Sequence, residues 1–315
     1  FFFQAEDGIR DSETWLEFRR VLFRSHETIS KSLSSRQLRD NIFGKKPTDF
    51  FEFADEVCKA YLSTGQIATH IKAKSIIAKL KAYMQGHSLS FHDINPYFLS
   101  KYEAYLRDEL KNKTNTIHKN LKFFRKLFND AYRLDLIEHN VNPFLKYRLK
   151  QEKTTRHYLT EEEIKCFFDY QPTPGTRLEL HRDMFVFAAY VGGIRISDML
   201  QLKWDNFDGT HLRFSIRKAS QQLSIKVPEI AKTIIEKYEQ FRTSAESFIF
   251  PVLPDGLNFN DLILVNREIS GATAYVNKNI KIIAGKCGIT KKISFHVSRH
   301  SWACMALQKG ISIDK

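Results

Sequence analysis

Apolar residues return every three or four positions through residues 48–62, 69–84, 95–110 and 116–136, and Gly65, residues 86–93 and residues 111–115 separate the four stretches. That period lines up one stripe of side chains on one helical face, so the pattern predicts four amphipathic helices. Helices of this length bury their stripes against one another as a compact bundle. In the fourth, Ile117, Leu121, Phe124, Phe128 and Ala131 share one face, while Lys119, Lys122, Lys126 and Arg133 occupy another. Asn142-Pro143 closes the bundle, and residues 146–156 hold five Lys/Arg against one Glu with little apolar content, a linker composition.

A second set of elements follows. Thr160-Glu161-Glu162-Glu163 has the form of a capping box, with Leu159 placed to staple the entry, and predicts a helix running to about Tyr170. A further helix, residues 183–191, meets Gly192-Gly193 and stops, because two adjacent glycines disfavour continuation. Leu212, Phe214 and Ile216 alternate with polar residues, as do Leu223, Ile225 and Val227 after a short polar gap, which predicts a β-hairpin. Helices over residues 229–242, 272–286 and 295–309 complete the pattern. The fold class expected is mainly α with a small β-hairpin. Its domains are a helical bundle over residues 47–148, a linker over 149–158 and a second α-rich domain over 159–315. The polar, serine-rich residues 26–46 read as a linker or the remnant of something further N-terminal.

Composition narrows the partner. With 43% hydrophobic and 27% charged residues and only 13 Gly and 8 Pro in 315, the chain is a packed protein rather than a disordered one. Its net charge of +13 favours a polyanion such as nucleic acid over a small metabolite. The cations concentrate: Lys111, Lys113, Lys119, Lys122, Arg125 and Lys126 fall in sixteen residues with no acid among them, a run suited to displacing phosphate counterions. The bland reading of that run is a solvated helix face. The four cysteines lie far apart with no Cys-x-x-Cys pair, which encodes neither a zinc knuckle nor a disulfide framework and fits a reducing, cytoplasmic setting. The longest apolar stretch, residues 184–194, falls well short of the ~18 to 20 residues that span a bilayer, so no membrane segment is expected. Residues 1–25, with QAEDGIRD and LEFRRVLFRS, resemble the conceptual translation of a short-read sequencing adapter and are expected to be an assembly artefact.

No Gly-x-Gly-x-x-Gly, no Gly-Lys-Ser/Thr phosphate loop and no His-Glu-x-x-His occurs, so nucleotide hydrolysis and zinc peptidase chemistry lack support. What remains is a scattered set of cations. Arg195 follows the Gly192-Gly193 break and precedes Ser197, which reads as the N-cap of a helix over residues 198–202. In SFHVSRHSWACMALQKG, Ser294 can cap a helix ending at Gly310, with His296, Arg299 and His300 in its first turns. Cations there oppose the helix dipole by ~0.3 to 1 kcal/mol each, which points to a compensating anion. Lys218 sits where the first hairpin strand gives way to the turn.

In this order, GGIRISDMLQLKW, a hairpin lysine about twenty residues on, and HVSRH about a hundred residues past Arg195 resemble the catalytic domain of the tyrosine recombinases, the phage integrase family. NTIHKNLKFFRKLFNDAYRLDLIEHNVNPF is similar to that family's SAM-like core-binding domain, and YLTEEEI to the opening of its catalytic domain. The resemblance implies a site-specific recombinase in which a tyrosine hydroxyl attacks a DNA phosphodiester, leaving a 3′-phosphotyrosyl link. It implies catalytic roles for Arg195 and Arg299 on the non-bridging oxygens and for Lys218 as general acid, with Arg217 and Lys226 as neighbouring contenders. Asp198 and His296 would orient the phosphate. It implies no metal or other cofactor, double-stranded DNA as partner and a homotetramer on synapsed sites. His300 matches no catalytic position. The family's nucleophilic tyrosine follows His-x-x-Arg, yet the last tyrosine here, Tyr275, precedes His296. The nucleophile is therefore expected to be missing beyond Lys315, leaving a fragment that binds DNA without cutting it. The alternative is a non-catalytic DNA-binding accessory protein of the same fold.

Overall fold

Asp49 opens the first helix, α1 (Phe50–Ser63), by accepting hydrogen bonds from the backbone amides of Phe51 and Glu52 at 2.6 and 3.2 Å. Its other carboxylate oxygen takes the Leu89 amide at 3.3 Å, so one aspartate caps a helix and pins the loop that returns beside it. The computed structural model describes residues 49–216 and 221–310, which form two compact units dividing between Lys153 and Thr154.

The first unit continues with α2 (Ile67–Tyr83), α3 (Pro96–Asp108) and α4 (Thr114–Arg133). The stripe read from the sequence of α4 is its buried face: Ile117, Leu121, Phe124, Phe128 and Ala131 are all core residues. Phe50 meets Phe91, Phe124 and Phe128 with ring centroids 5.2 to 6.0 Å apart, and Tyr102 stacks on Phe124 at 5.6 Å. Such aromatic pairs add about 0.5–1.5 kcal/mol each beyond the area they bury. Lys113, at the N-cap of α4, supplies no side-chain bond to the helix. Glu152 takes that place instead: its carboxylate accepts from the Thr114 hydroxyl at 2.5 Å, and its backbone exchanges two 3.0 Å bonds with the Asn115 side chain. A carboxylate beside those amides offsets the positive end of the helix dipole. The first part of the basic stretch read as linker is therefore docked on α4 as far as Glu152.

The second unit is built around α6 (Arg177–Tyr190), packed by α5 (Glu161–Asp169), α8 (Glu229–Glu236), α9 (Leu262–Lys286) and α10 (His296–Gln308). Every residue of α6 from Leu180 to Ala189 is buried. Its polar residues find partners inside: Arg182 pairs with Asp183 at 2.8 Å and donates to the Phe168 carbonyl at 2.6 Å, while Asp183 accepts from the Tyr238 hydroxyl at 2.9 Å. The capping box of α5 is present in both directions, Thr160 Oγ1 accepting from the Glu163 amide and the Glu163 carboxylate from the Thr160 amide. Between α6 and α8 lie the one-turn helix α7 (Ile196–Met199) and an antiparallel hairpin, β1 (His211–Ile216) with β2 (Gln221–Lys226), in a register that pairs Leu212 with Ile225 and Phe214 with Leu223. The architecture is mainly α with a two-stranded sheet.

Several sequence-based boundaries move. Helix α6 begins at Arg177 behind a Thr176 cap, not at Asp183. Helix α9 begins at Leu262, ten residues before the predicted start, with Asp261 as its cap. Helix α8 ends at Glu236, and residues 239–241 form a separate 3₁₀ turn. Replacing Thr160 by Ala is expected to cost ~1 kcal/mol through loss of the cap. Urea unfolding followed on the second unit checks this as a lowered midpoint at unchanged m-value.

Candidate functional site

The site is organised by the end of α6. Gly192 and Gly193 both take left-handed φ, 65° and 61°, conformations that L side chains adopt only with strain. At Gly193 space forbids a side chain as well, while at Gly192 one would have to displace the tip of Ile225. A Cβ on Gly192 would lie 2.9 Å from Cδ1 of Ile225 on β2, and one on Gly193 would lie 2.8 Å from the Cα of Arg299 on α10. The turn is thus wedged between hairpin and helix, and its Gly193 carbonyl accepts from Arg299 Nη1 at 3.0 Å.

Arg195 leaves that turn as the N-cap residue of α7, half-buried, and its carbonyl accepts from the amides of Asp198 and Met199. The cap expected at Ser197 is not formed: α7 starts at Ile196 and spans four residues, too short to concentrate a helix dipole. Asp198 is buried at 7% exposure. Helix α10 is likewise not capped by Ser294. Phe295 occupies the N-cap and its amide donates to Asn277 Oδ1 on α9 at 2.7 Å, while Ser301 Oγ, facing inward, accepts from the Leu159 amide at 2.8 Å. These bonds fix α10 against the rest of the unit and so fix where His296 and Arg299 emerge.

Positive charge accumulates at this corner. Burial and the nearby Arg195 pull the Arg299 pKa down, with Asp198 opposing them. His296, at the first position of α10, is lowered by partial burial of its ring, by His300 and Arg299, and by Arg195 and Arg156. His300 is lowered by burial, Arg156 and Arg299. The two imidazoles meet edge to face at 4.6 Å. Three arginines from three segments therefore act on one another or on the same imidazoles, an arrangement that an anion would relieve. The structure brings Arg195, Asp198, His296 and Arg299 together. Lys218 lies outside the described residues, although the hairpin that bears it is anchored on Gly192 through Ile225. Two participants escaped the sequence reading: Arg156, placed in a linker by composition, and His300, set aside for want of a motif. No cluster of His, Cys, Asp and Glu suited to a metal ion occurs among the described residues.

In the first unit, Lys111, Lys113, Lys119 and Arg125 are exposed and Lys122 is half-buried. Lys126 differs. Its ammonium lies 2.6 Å from Asp130 one turn on and 5.3 Å from the centre of the Tyr61 ring, so its charge is already committed. The i, i+4 spacing to Asp130 is the signal that could have shown this. No described helix is long and apolar enough to cross a membrane.

Comparison with known proteins gives matches over the whole described chain. The phage integrase SAM-like domain matches residues 49–159 and the phage integrase family matches residues 157–315. The tyrosine recombinase XerD of Listeria monocytogenes serotype 4b (strain F2365) is 30% identical over 168 residues, 52% of this chain and 53% of that protein. The tyrosine recombinase XerC of Listeria monocytogenes serovar 1/2a is 22% identical over 213 residues, 64% of this chain and 66% of that protein. The chain thus spans about half the length of its XerD relative. Among solved structures, a lambda integrase (75-356) dimer bound to a COC′ core site aligns with a TM-score of 0.61 at 17% identity, over 83% of this chain and 87% of that one. XerH recombinase bound to difH aligns with a TM-score of 0.54 at 17% identity, over 95% and 87%. At such identities the structural likeness is one of fold.

Two outcomes follow from the geometry. Gly193→Ala should lose ~2 kcal/mol or more, since it adds a backbone clash to the ~1–2 kcal/mol cost of left-handed φ. Gly175→Ala, at φ 74° with open space around it, should lose only the conformational part, and chemical denaturation of both variants measures the difference. By NMR titration His296 should protonate below the usual ~6.5, and Arg156→Ala or His300→Phe should raise its midpoint. Because folding lowers these pKa values, unfolded chains take up protons first. Stability attached to the pair is therefore complete above about pH 7.5 and declines as pH falls through ~6.5 and below.

Proposed function

This chain belongs to the phage integrase family, and from that premise we propose that it is part of a site-specific DNA recombinase that cleaves and rejoins strands through a 3′-phosphotyrosyl intermediate. The observation that carries the reading is the placement of Arg299 on Gly193 with Arg195 leaving the same turn, both residues half-buried and acting on each other.

The chemistry follows from charge. Attack of a tyrosine oxygen on phosphorus forms one P–O bond as the bond to the 5′-oxygen breaks, and the five-coordinate transition state carries added negative charge on its non-bridging oxygens. Arg195 and Arg299 stabilise that charge, and because they already repel each other their interaction with it strengthens as it develops. The departing 5′-oxygen takes a proton from Lys218, the general acid that the family resemblance implies. Asp198 and His296 orient the phosphate, and the His296 imidazole, its pKa lowered by burial and by His300 and the nearby arginines, accepts the proton that the tyrosine hydroxyl gives up. Reversal by a 5′-hydroxyl of the partner strand conserves the bond energy, so neither nucleotide hydrolysis nor a cofactor is required. Double-stranded DNA is the partner, and a tetramer on two synapsed sites provides the exchanging ends. The family resemblance puts the attacking hydroxyl on a tyrosine C-terminal to Arg299, and none occurs between Arg299 and Lys315.

In the first unit, Lys119, Lys122 and Arg125 hold the DNA backbone. Lys126 shapes the surface rather than contacting phosphate, because any phosphate would compete with Asp130.

Extending the chain past Lys315 with its own downstream coding sequence, and offering the product a nicked suicide duplex, tests the reading. A covalent protein–DNA adduct is expected from the extended chain, and Arg195→Ala or Arg299→Ala should abolish it while sparing most DNA binding. An adduct in either variant would remove the site assignment, and none from the parent would favour a binding role without chemistry. Replacing Lys119, Lys122 and Arg125 together should lower the slope of log K against log salt by about 3, and adding Lys126→Ala should change it little further.

A further inference from the structure

A groove of about 510 Å³ runs between α4 and the start of α2. Lys119, Lys122, Arg125 and Lys126 line it from α4, and Gln66 and Thr69 face them from α2. Phosphate binding accounts for Lys119, Lys122 and Arg125, and Asp130 accounts for Lys126. Neither accounts for Gln66.

The backbone of Gln66 is fixed on both sides: its amide donates to the Tyr61 carbonyl at 2.8 Å and its carbonyl accepts from the His70 amide at 2.9 Å. It stands at the N-cap of α2, where Asn, Asp or Ser is favoured, yet its side chain makes no capping bond. Among the described residues its carboxamide has no hydrogen-bond partner, and Thr69, at i+3 on the same face, is exposed with its hydroxyl equally uncommitted. Tyr61, whose carbonyl anchors Gln66, also carries the committed Lys126 on its ring, so the floor beneath the glutamine is rigid. The groove therefore offers an uncommitted donor and acceptor on one planar group, carried on a fixed backbone and flanked by the exposed cations Lys119 and Arg125.

That pairing suits a base edge rather than the phosphate backbone. Phosphate oxygens only accept, so they use half of a carboxamide at most. The major-groove edge of adenine presents an acceptor at N7 beside a donor at N6, which a glutamine side chain meets with both of its polar atoms. Resting on the reading above that this unit binds duplex DNA, we propose that Gln66 is a specificity-determining residue that reads an adenine in the major groove, with Thr69 beside it, while Lys119 and Arg125 hold the flanking phosphates.

Selection from a random-sequence duplex pool with the 315-residue chain, run in parallel with Gln66→Ala, tests this. The parent should recover sites with a fixed adenine. Gln66→Ala should bind unselected duplex within about threefold of the parent at equal salt, yet lose discrimination at that one position by roughly 5- to 100-fold. Lys119→Ala with Arg125→Ala should weaken all sequences alike and leave the recovered motif intact. The proposal is overturned if Gln66→Ala recovers the same motif with the same discrimination, if it loses a base other than adenine, or if it weakens every sequence equally. Failure of the parent to bind any duplex would instead sink the DNA-binding reading itself, and this inference with it.

Discussion

Arg299 rests directly on a residue that can only be glycine, and the geometry of the second unit follows from that contact. Gly193 must turn left-handed to end α6, must lack a Cβ to let α10 approach, and must present its carbonyl to the guanidinium it supports. Two residues on, the same chain delivers Arg195, and one residue earlier Gly192 seats the hairpin through Ile225. A single turn thus sets the mutual position of two guanidiniums and a strand pair. Burial first and like charge second lower the pKa values of Arg299, His296 and His300, the cost of gathering these groups at one corner.

The first unit handles its charge differently. Its cations are spread along α4, most of them exposed toward solvent, where mutual repulsion is screened by salt. Lys126 is held closely, and there a buried Asp130 and the Tyr61 ring compensate it. One unit is suited to adhering along a charged polymer and the other to concentrating charge at one point, a division that fits binding on one hand and bond cleavage on the other.

The bundle was legible because its helices bury one stripe each, and the stripe of α4 could be named residue by residue. The capping box at Thr160 and the hairpin were legible because their signals are local. Helix α6 was half-missed for the opposite reason. It is buried all round, so no polar face marks its period, and His181, Arg182 and Asp183 mimic a surface loop although they are internally paired. The cap expected at Ser294 gives way to a long-range bond from the Phe295 amide to Asn277, and the one expected at Ser197 to a helix that already starts at Ile196. Order and resemblance single out Arg195, Asp198, His296 and Arg299, and the fold brings these four to one corner. Arg156 and Gln66 carry no sequence signal, since their surroundings are made only by folding.

Arg195 and Arg299, proposed to act on one phosphate, should converge on a single anion. A crystal structure of the chain bound to duplex DNA tests it most directly. Guanidinium nitrogens of both residues should lie within about 3 Å of oxygens on a single phosphate. Guanidiniums engaging different phosphates, or directed away from the DNA, would contradict it.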